Sequence, residues 1–526
     1  MSGYRVTDWF EYTAKARPDL PFLIMGERVL SYSEADAWAN RWARVLLAHG
    51  LQVGDRIAYL SENAIEIGVM FMAAAKVGVA PFMLNYRLAP REWRAILQDA
   101  APAMVFAAGA DYVQGLAALQ LETVLPGLVQ VAIGARDPAP PPGWLSLEAL
   151  LQAQPATRPA ASVSSEDMLY LIYTSGTTGL PKGVMISHVN ALAHIEQAMS
   201  ASPASKAPGE RALVATPLYH AAGINRIFNA VVKGGTVVLM AHFEAEAFLA
   251  TIERERINSC NMVPSIMQSL VDMPGIGERR FDTLKVIYYG AAPISVALMR
   301  RAMEVFHCTL VQGYGLTEAT GGFVYLNEVD HARALHGADH LLRACGRPVL
   351  ADVRIVDEQG RDCAVDQPGE LLVRGPNVMK GYWRNPQATG EAIRDGWLHT
   401  GDVARLDAEG YVYLCDRKKD MVVSGGTNIY PREVEMVLQE HPAVVEAAVI
   451  GVPDEKWGEA LLAVCVCRGT PPAAADLVAF CRGRLGGYKV PRQFEFVAAL
   501  PRNPSGKVLK RVLREPYWQQ QGRGIA

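Results

Sequence analysis

The run Tyr173-Thr-Ser-Gly-Thr-Thr-Gly-Leu-Pro-Lys-Gly-Val-Met-Ile-Ser-His188 sets three glycines, four Ser/Thr hydroxyls before Pro181 and one lysine in a polar loop between two apolar stretches. These residue types suit a polyphosphate. Glycines let backbone N–H groups turn toward an anion, hydroxyls add donors and a cation ligand, and Lys182 supplies charge. Thr174, Ser175, Gly176, Thr177, Thr178, Gly179 and Lys182 are the candidate contacts, with Thr177 also a candidate Mg2+ ligand. Pro181 stands where a P-loop needs glycine, so the G-x-x-x-x-G-K-[ST] spacing fails and a Walker-type NTPase is set aside.

A second cluster, Val311-Gln-Gly-Tyr-Gly-Leu-Thr-Glu318, packs a ring, a hydroxyl and a carboxylate among glycines at an expected strand end. Beside Gly313, Tyr314 can stack on adenine and Thr317 can donate to an α-phosphate. Glu318 can reach Mg2+, which prefers oxygen ligands. In Trp397-Leu-His-Thr-Gly-Asp402 the carboxylate, expected at a turn, can accept both hydroxyls of a ribose. Pro501-Arg-Asn-Pro-Ser-Gly-Lys507 puts a lysine after a punctuated turn, a compact cation suited to charge that appears only as a carboxylate attacks phosphorus.

Stepping outward to the elements that position these groups, short β-type runs (56–60, 104–107, 212–216, 236–240) alternate with Ala-rich helical stretches (33–49, 67–76). That alternation predicts α/β layers on largely parallel sheets. The stretch 67–84 is nearly long enough to span a bilayer, but Lys76, Gly68, Gly78 and Pro81 favour a buried helix followed by a strand. Residues 137–159, rich in Pro and Ala, read as an exposed connection. The charged junction Asp416-Arg-Lys-Lys-Asp420 divides a large N-terminal unit, 1–416, from a small α+β C-terminal unit, 417–526.

Together the motifs resemble the adenylate-forming superfamily, in its acyl-CoA synthetase branch, across roughly residues 5–515; Pro453-Asp-Glu-Lys-Trp-Gly458 fits the same branch. The resemblance implies ATP, Mg2+ and coenzyme A as cofactors, a large AMP-binding unit and a small mobile cap. It makes Lys507 the adenylation lysine, acting with Glu318 (also a metal ligand), Thr317 and His220, the last at the carboxylate site in Pro217-Leu-Tyr-His-Ala-Ala-Gly223. It sets Gly290, Ala291 and Ala292 beside adenine, Asp402 on the ribose and Arg417, just past the following hairpin, on the nucleotide. Lys419 becomes the hinge and Gly425 clears a path for the pantetheine arm, since two half-reactions need two closed arrangements.

The implied reaction activates a carboxylic acid as its acyl-adenylate and passes it to the CoA thiol. A medium- or long-chain fatty acid is expected, with a cinnamate- or benzoate-like acid as the alternative. Ala221-Ala-Gly-Ile-Asn225 offers no carboxylate for a substrate amine, and Ala221, Ala222 and Gly223 are expected to leave depth for an apolar body. Arg226 either meets a polar group of the acid or, the favoured reading, faces away from the pocket or snorkels along its stem. A nucleotide-binding sensor without turnover is the reading from another class, and a luciferase-like oxygenase is a second enzyme reading.

A net charge of −3 gives no global case for nucleic acid, although the chain from Arg482 onward holds ten Lys/Arg against two Glu. Eight cysteines without metal spacing predict reduced, mostly buried thiols. The first residues lack the apolar core of a signal peptide, so a cytoplasmic protein is expected. Peripheral membrane contact and a dimer are both compatible with the chain.

Overall fold

The computed structural model describes residues 3–134, 140–174, 181–202, 209–290, 294, 296–417, 420–424, 427–454, 456–502 and 508–518, with only the backbone of 417 and 428. Helices lie against two large sheets. The first sheet has nine strands, in the order Arg347–Pro348, Gly321–Leu326, Thr309–Leu316, Val286–Gly290, Ser259–Met262, Arg211–Val214, Thr236–Leu239, Pro21–Met25 and Arg28–Ser31. Its six inner strands, from Thr309–Leu316 to Pro21–Met25, run parallel, and antiparallel strands close both edges. The second has eight strands, from Gly381–Tyr382 through Lys182–Ser187, Met168–Thr174, Ala80–Met83, Arg56–Leu60, Met104–Ala108 and Val129–Ile133 to Leu145–Ser146.

Between these layers runs the helix Ile65–Val77, with all but one of its residues buried, as an apolar helix without a polar face must be. Gly78, in the left-handed region at φ 72°, ends it and lets the chain enter the strand Ala80–Met83. The stretch 67–84 is thus the buried helix and strand that Lys76, Gly68, Gly78 and Pro81 suggested. Gly68 marks where the layers touch, since a Cβ there would lie 2.7 Å from Leu23 Cδ1 and 3.6 Å from Ile227 Cδ1. The neighbouring helix Tyr32–Ala48 starts from a capping box, with Ser31 Oγ accepting from Glu34 N at 3.2 Å and Glu34 Oε2 accepting from Ser31 N at 2.8 Å.

A third sheet joins Asp352–Val356, Gly369–Arg374, Trp397–Leu406, Ile393–Arg394 and Val412–Arg417. A fourth joins Thr427–Ile429, Val422–Ser424, Gly458–Cys467, Val444–Asp454 and Gln493–Phe496, with helices Pro431–Gln439 and Ala474–Arg482 and a last helix Lys510–Trp518. This last sheet has apolar clusters of its own.

Two expectations need correction. The region 137–159 is not simply an exposed connection: Trp144, Leu147 and Leu151 are buried, and Ser146 Oγ caps a short helix, Leu147–Gln152. Of the eight free cysteines four are buried and four half-buried. Burial pushes the thiols of Cys308 and Cys465 up to about 12, which keeps them protonated and inert. Among the described residues no helix is long and apolar enough to cross a membrane.

Candidate active site

The strand Thr309–Leu316 ends in a single helical turn, Thr317–Ala319, and the two candidate nucleotide groups Tyr314 and Glu318 sit on either side of that break. Tyr314 is buried, edge-on to Phe323 at 5.5 Å, and its hydroxyl donates to Asp402 Oδ2 at 2.6 Å. Asp402 is itself 4% exposed. It lies inside the strand Trp397–Leu406 rather than at the turn expected from Gly401, opposite Arg417 on the strand Val412–Arg417. Gly401 does adopt φ 70°, but the strand continues through it, so the glycine re-aims the carboxylate without ending the pairing. Arg417 accordingly stands within the hairpin, not beyond it.

Glu318 is half-buried, and its Oε1 accepts from the Tyr382 hydroxyl at 2.9 Å, which leaves Oε2 available to a cation. Burial and the adjoining Glu318 charge hold the Tyr382 hydroxyl far above its ordinary range, so it remains a donor. The face of the same ring carries Lys182 Nζ at 4.9 Å from its centroid. Tyr382 therefore joins Lys182 to Glu318. It can do so because the strand Gly381–Tyr382 pairs with Lys182–Ser187, and Lys182 in turn stands opposite Thr174.

Thr320, just beyond the turn, holds φ 63°, a left-handed conformation rare for a β-branched residue and costing about 1–3 kcal/mol. Three hydrogen bonds hold it there or beside it. Thr320 Oγ1 donates to Asn377 O at 2.7 Å, Asn377 Nδ2 donates to Ala319 O at 3.2 Å, and Asn225 Nδ2 donates to Thr320 O at 2.6 Å. Asn225 Oδ1 also accepts from Tyr170 OH at 3.0 Å.

Asn225 belongs to the helix Ala221–Lys233, which begins at His220 in extended conformation; the imidazole makes no capping bond and tilts against the Tyr219 ring at 4.4 Å. Gly223 does not open the depth expected of it, because a Cβ there would lie 2.4 Å from Pro217 O and the glycine serves backbone packing. Arg226 does not snorkel, because its side chain is buried along its whole length. It is 8% exposed, donates to Ser259 Oγ at 2.6 Å, lies 3.4 Å from Glu210 Oε1 and stacks over Tyr288 at 4.6 Å. Lys233 Nζ takes the other Glu210 oxygen at 2.6 Å. Burial opposes the Glu210 charge, but Arg226 and Lys233 outweigh it and hold that carboxyl below its ordinary range. Burial likewise draws Lys233 down.

The AMP-binding enzyme family matches residues 10–383, and its C-terminal domain matches 433–507. The chain belongs to the AMP-binding enzyme family. It is an adenylate-forming enzyme of the acyl-CoA synthetase branch, an AMP-forming acid–thiol ligase. It is similar to the long-chain-fatty-acid–CoA ligase FadD13 of Mycobacterium tuberculosis, at 36% identity with 93% of each chain covered. To the feruloyl-CoA synthase of an Amycolatopsis species it is also 36% identical, over 98% of this chain and all of that one. Among solved structures, the o-succinylbenzoate CoA synthetase of Bacillus subtilis with its acyl-adenylate intermediate aligns over the whole of both chains, with TM-score 0.83 at 29% identity.

For this AMP-binding enzyme the donor set fits Mg2+. One half-buried carboxylate, Glu318, offers an oxygen, and among the described residues no cluster of three His, Cys, Asp or Glu forms a protein cage. A cation that keeps waters and phosphate oxygens needs no more. The structure brings together Thr174, Lys182, Tyr314, Thr317, Glu318 and Asp402, while Gly290 pairs with Gly313 so closely that a Cβ on Gly290 would meet Gly313 O at 2.3 Å. The calls on Ser175, Gly176, Thr177, Thr178, Gly179, Ala291, Ala292, Lys419, Gly425 and Lys507 lie outside the described residues. Sequence reasoning missed Tyr382, Asn225, Asn377 and the Glu210–Lys233 pair. Only Tyr382 carried a signal, an aromatic pair beside Gly381 that reads as an ordinary edge strand.

Proposed function

We propose that this AMP-binding enzyme joins a carboxylic acid to coenzyme A in two half-reactions at one site. In the first, a carboxylate oxygen attacks the α-phosphorus of ATP and the bond to pyrophosphate breaks. In the second, the CoA thiol attacks the acyl carbon, its proton is lost, and the bond to AMP breaks. Asp402 accepts from the ribose hydroxyls, Tyr314 covers the base, and Thr317 donates to the α-phosphate. Lys182 and Lys507 meet the phosphoryl charge, and Glu318 and Thr177 would hold a Mg2+ ion, which when bound would supply charge neutralisation at the phosphate oxygens. Lys507 enters for the first step and withdraws for the second, with Lys419 as the pivot between the units and Gly425 beside the thiol path. His220 borders the reacting carboxylate.

The observation that carries this reading is the placing of two carboxylates, Asp402 and Glu318, each with one oxygen held by a tyrosine hydroxyl, around one strand end. Such fixing removes motion at the nucleotide before it arrives. For the acid, the helix Ala221–Lys233 favours a body that carries a ring or polar groups over a bare alkyl tail. A tail laid along Arg226 would keep water from a cation and return nothing.

Thioester formation over C2–C18 and aryl acids, with ATP, Mg2+ and CoA, tests the reading. Acid-dependent pyrophosphate release followed by a CoA thioester is expected. No pyrophosphate with any acid would leave the sensor reading in its place.

A further inference from the structure

On the helix Ala221–Lys233, residues 222, 226, 229 and 233 recur at the i, i+4, i+7, i+11 spacing of a single face. At the His220 end of this face Ala222 is exposed, and deeper in, Arg226, Asn229 and Lys233 are all buried. The face is thus open at one end and polar within. Among the described residues its cations outnumber its anions: Glu210 is shared between Arg226 and Lys233, which leaves one positive charge uncompensated in a buried place. Among the described residues Arg226 Nε, enclosed by protein, has no hydrogen-bond partner.

Across from it stand Tyr288, under the Arg226 guanidinium, and Asn261, the cross-strand neighbour of Tyr288. The Asn261 Oδ1 is likewise enclosed and without a partner among the described residues. Buried polar atoms are almost always paired, and an unmatched one costs about 1–3 kcal/mol. An unused donor and an unused acceptor beside one ring, next to excess positive charge, describe a place for an oxygen-bearing group.

We infer that Arg226 is a specificity-determining residue that binds an oxygen acceptor, a hydroxyl or a second carboxylate, on the far end of the acid. The inference rests on the ligase reading above and deepens it. At 1.5 Å per residue Arg226 lies about 9 Å along the helix axis from His220, so the recognised group sits at the distal end of a short or ring-containing acid. A hydroxyl there accepts from Arg226 and donates to Asn261; a carboxylate also balances the surplus charge. A purely apolar end leaves both atoms unmatched, the situation in which a site rejects an analogue most strongly.

The test is a set of matched acids differing only at the far end, hydroxyl or carboxylate against methyl: 4-hydroxy- and 4-carboxycinnamate against 4-methylcinnamate, and ω-hydroxy and dicarboxylic acids against the alkyl acid of equal length. In the unaltered enzyme the oxygen-ended members are expected to exceed the methyl-ended ones at least tenfold in kcat/KM. Arg226→Met should lower that ratio at least tenfold, chiefly through KM, with Lys233 still neutralising Glu210, and Arg226→Lys should recover part of it. A ratio of one or below in the unaltered enzyme overturns the inference without needing any variant. So does an equal loss for all acids in folded Arg226→Met, the mark of a structural ion pair. If no acid yields a thioester, the ligase reading fails first, and visibly so.

Discussion

The proposed nucleotide end and the proposed acid end of the site handle charge in different ways. Around the break after Leu316, Asp402 and Glu318 each receive a neutral tyrosine hydroxyl, which orients the carboxylate. Along the helix Ala221–Lys233 the charges meet each other directly, two cations on one carboxylate, and the balance is left positive and buried. ATP, Mg2+ and CoA are common to all such ligases and ask for fixed geometry, whereas the acid is what varies. Neutral donors hold the first without preference of sign, and an uncompensated charge can discriminate the second.

The largest effect that would sharpen this contrast is expected at Glu210. Glu210→Gln leaves two buried cations without their counter-charge and should cost about 3–5 kcal/mol of stability, read by thermal or denaturant unfolding. Because the folded protein holds this carboxyl below its ordinary value of 4.5, its contribution is present above that pH and is lost as pH falls through the folded value. The unaltered protein should therefore weaken in acid more steeply than Glu210→Gln. Parallel slopes would remove Glu210 as a source of the dependence.

At the nucleotide end, Lys507→Ala should slow adenylation about 10²–10³-fold while thiolation of a supplied acyl-adenylate keeps its rate. Equal loss in both half-reactions would take Lys507 out of the first step. Asp402→Asn should raise the ATP KM about 10–100-fold, the worth of about 1.5–3 kcal/mol for a hydrogen bond to a charged group, with the KM for CoA changed far less. An unaltered ATP KM would move the ribose elsewhere. As the smallest effect, Arg343→Ala breaks an exposed pair with Glu440 at 2.8 Å and should shift stability by under about 1 kcal/mol. A larger loss would show that surface pairs count here as buried ones do, and would blur the comparison.

Much of the layered architecture was legible in sequence because strands such as Arg56–Leu60 and Met104–Ala108 are continuous apolar runs buried on both faces, with amphipathic or wholly apolar helices between them. Edge pairing was not. Gly401 reads as a turn residue and takes positive φ, yet it continues a strand, since a glycine can kink a ladder without leaving it. Polar networks were the least legible part. Asn225, Asn377 and Tyr382 act through partners 57 to 95 residues away, a separation at which no local pattern exists. Arg226 was noticeable as a charge in an apolar strip, but its direction depended on Glu210 and Ser259, on other strands and loops.

Asn225 has one amide side chain and two tasks, taking a hydroxyl from the strand that leads into the phosphate loop and giving a proton to the backbone that props the Glu318 turn. The helix proposed to choose the acid is thereby bolted to the turn proposed to align the metal. Attempts to retune this enzyme by transplanting that helix from a relative would inherit the link: a donor sequence lacking the amide would change not only which acid is taken but how fast any acid is activated. Breadth of substrate and speed of the first step are, in this scaffold, traits that must be altered together.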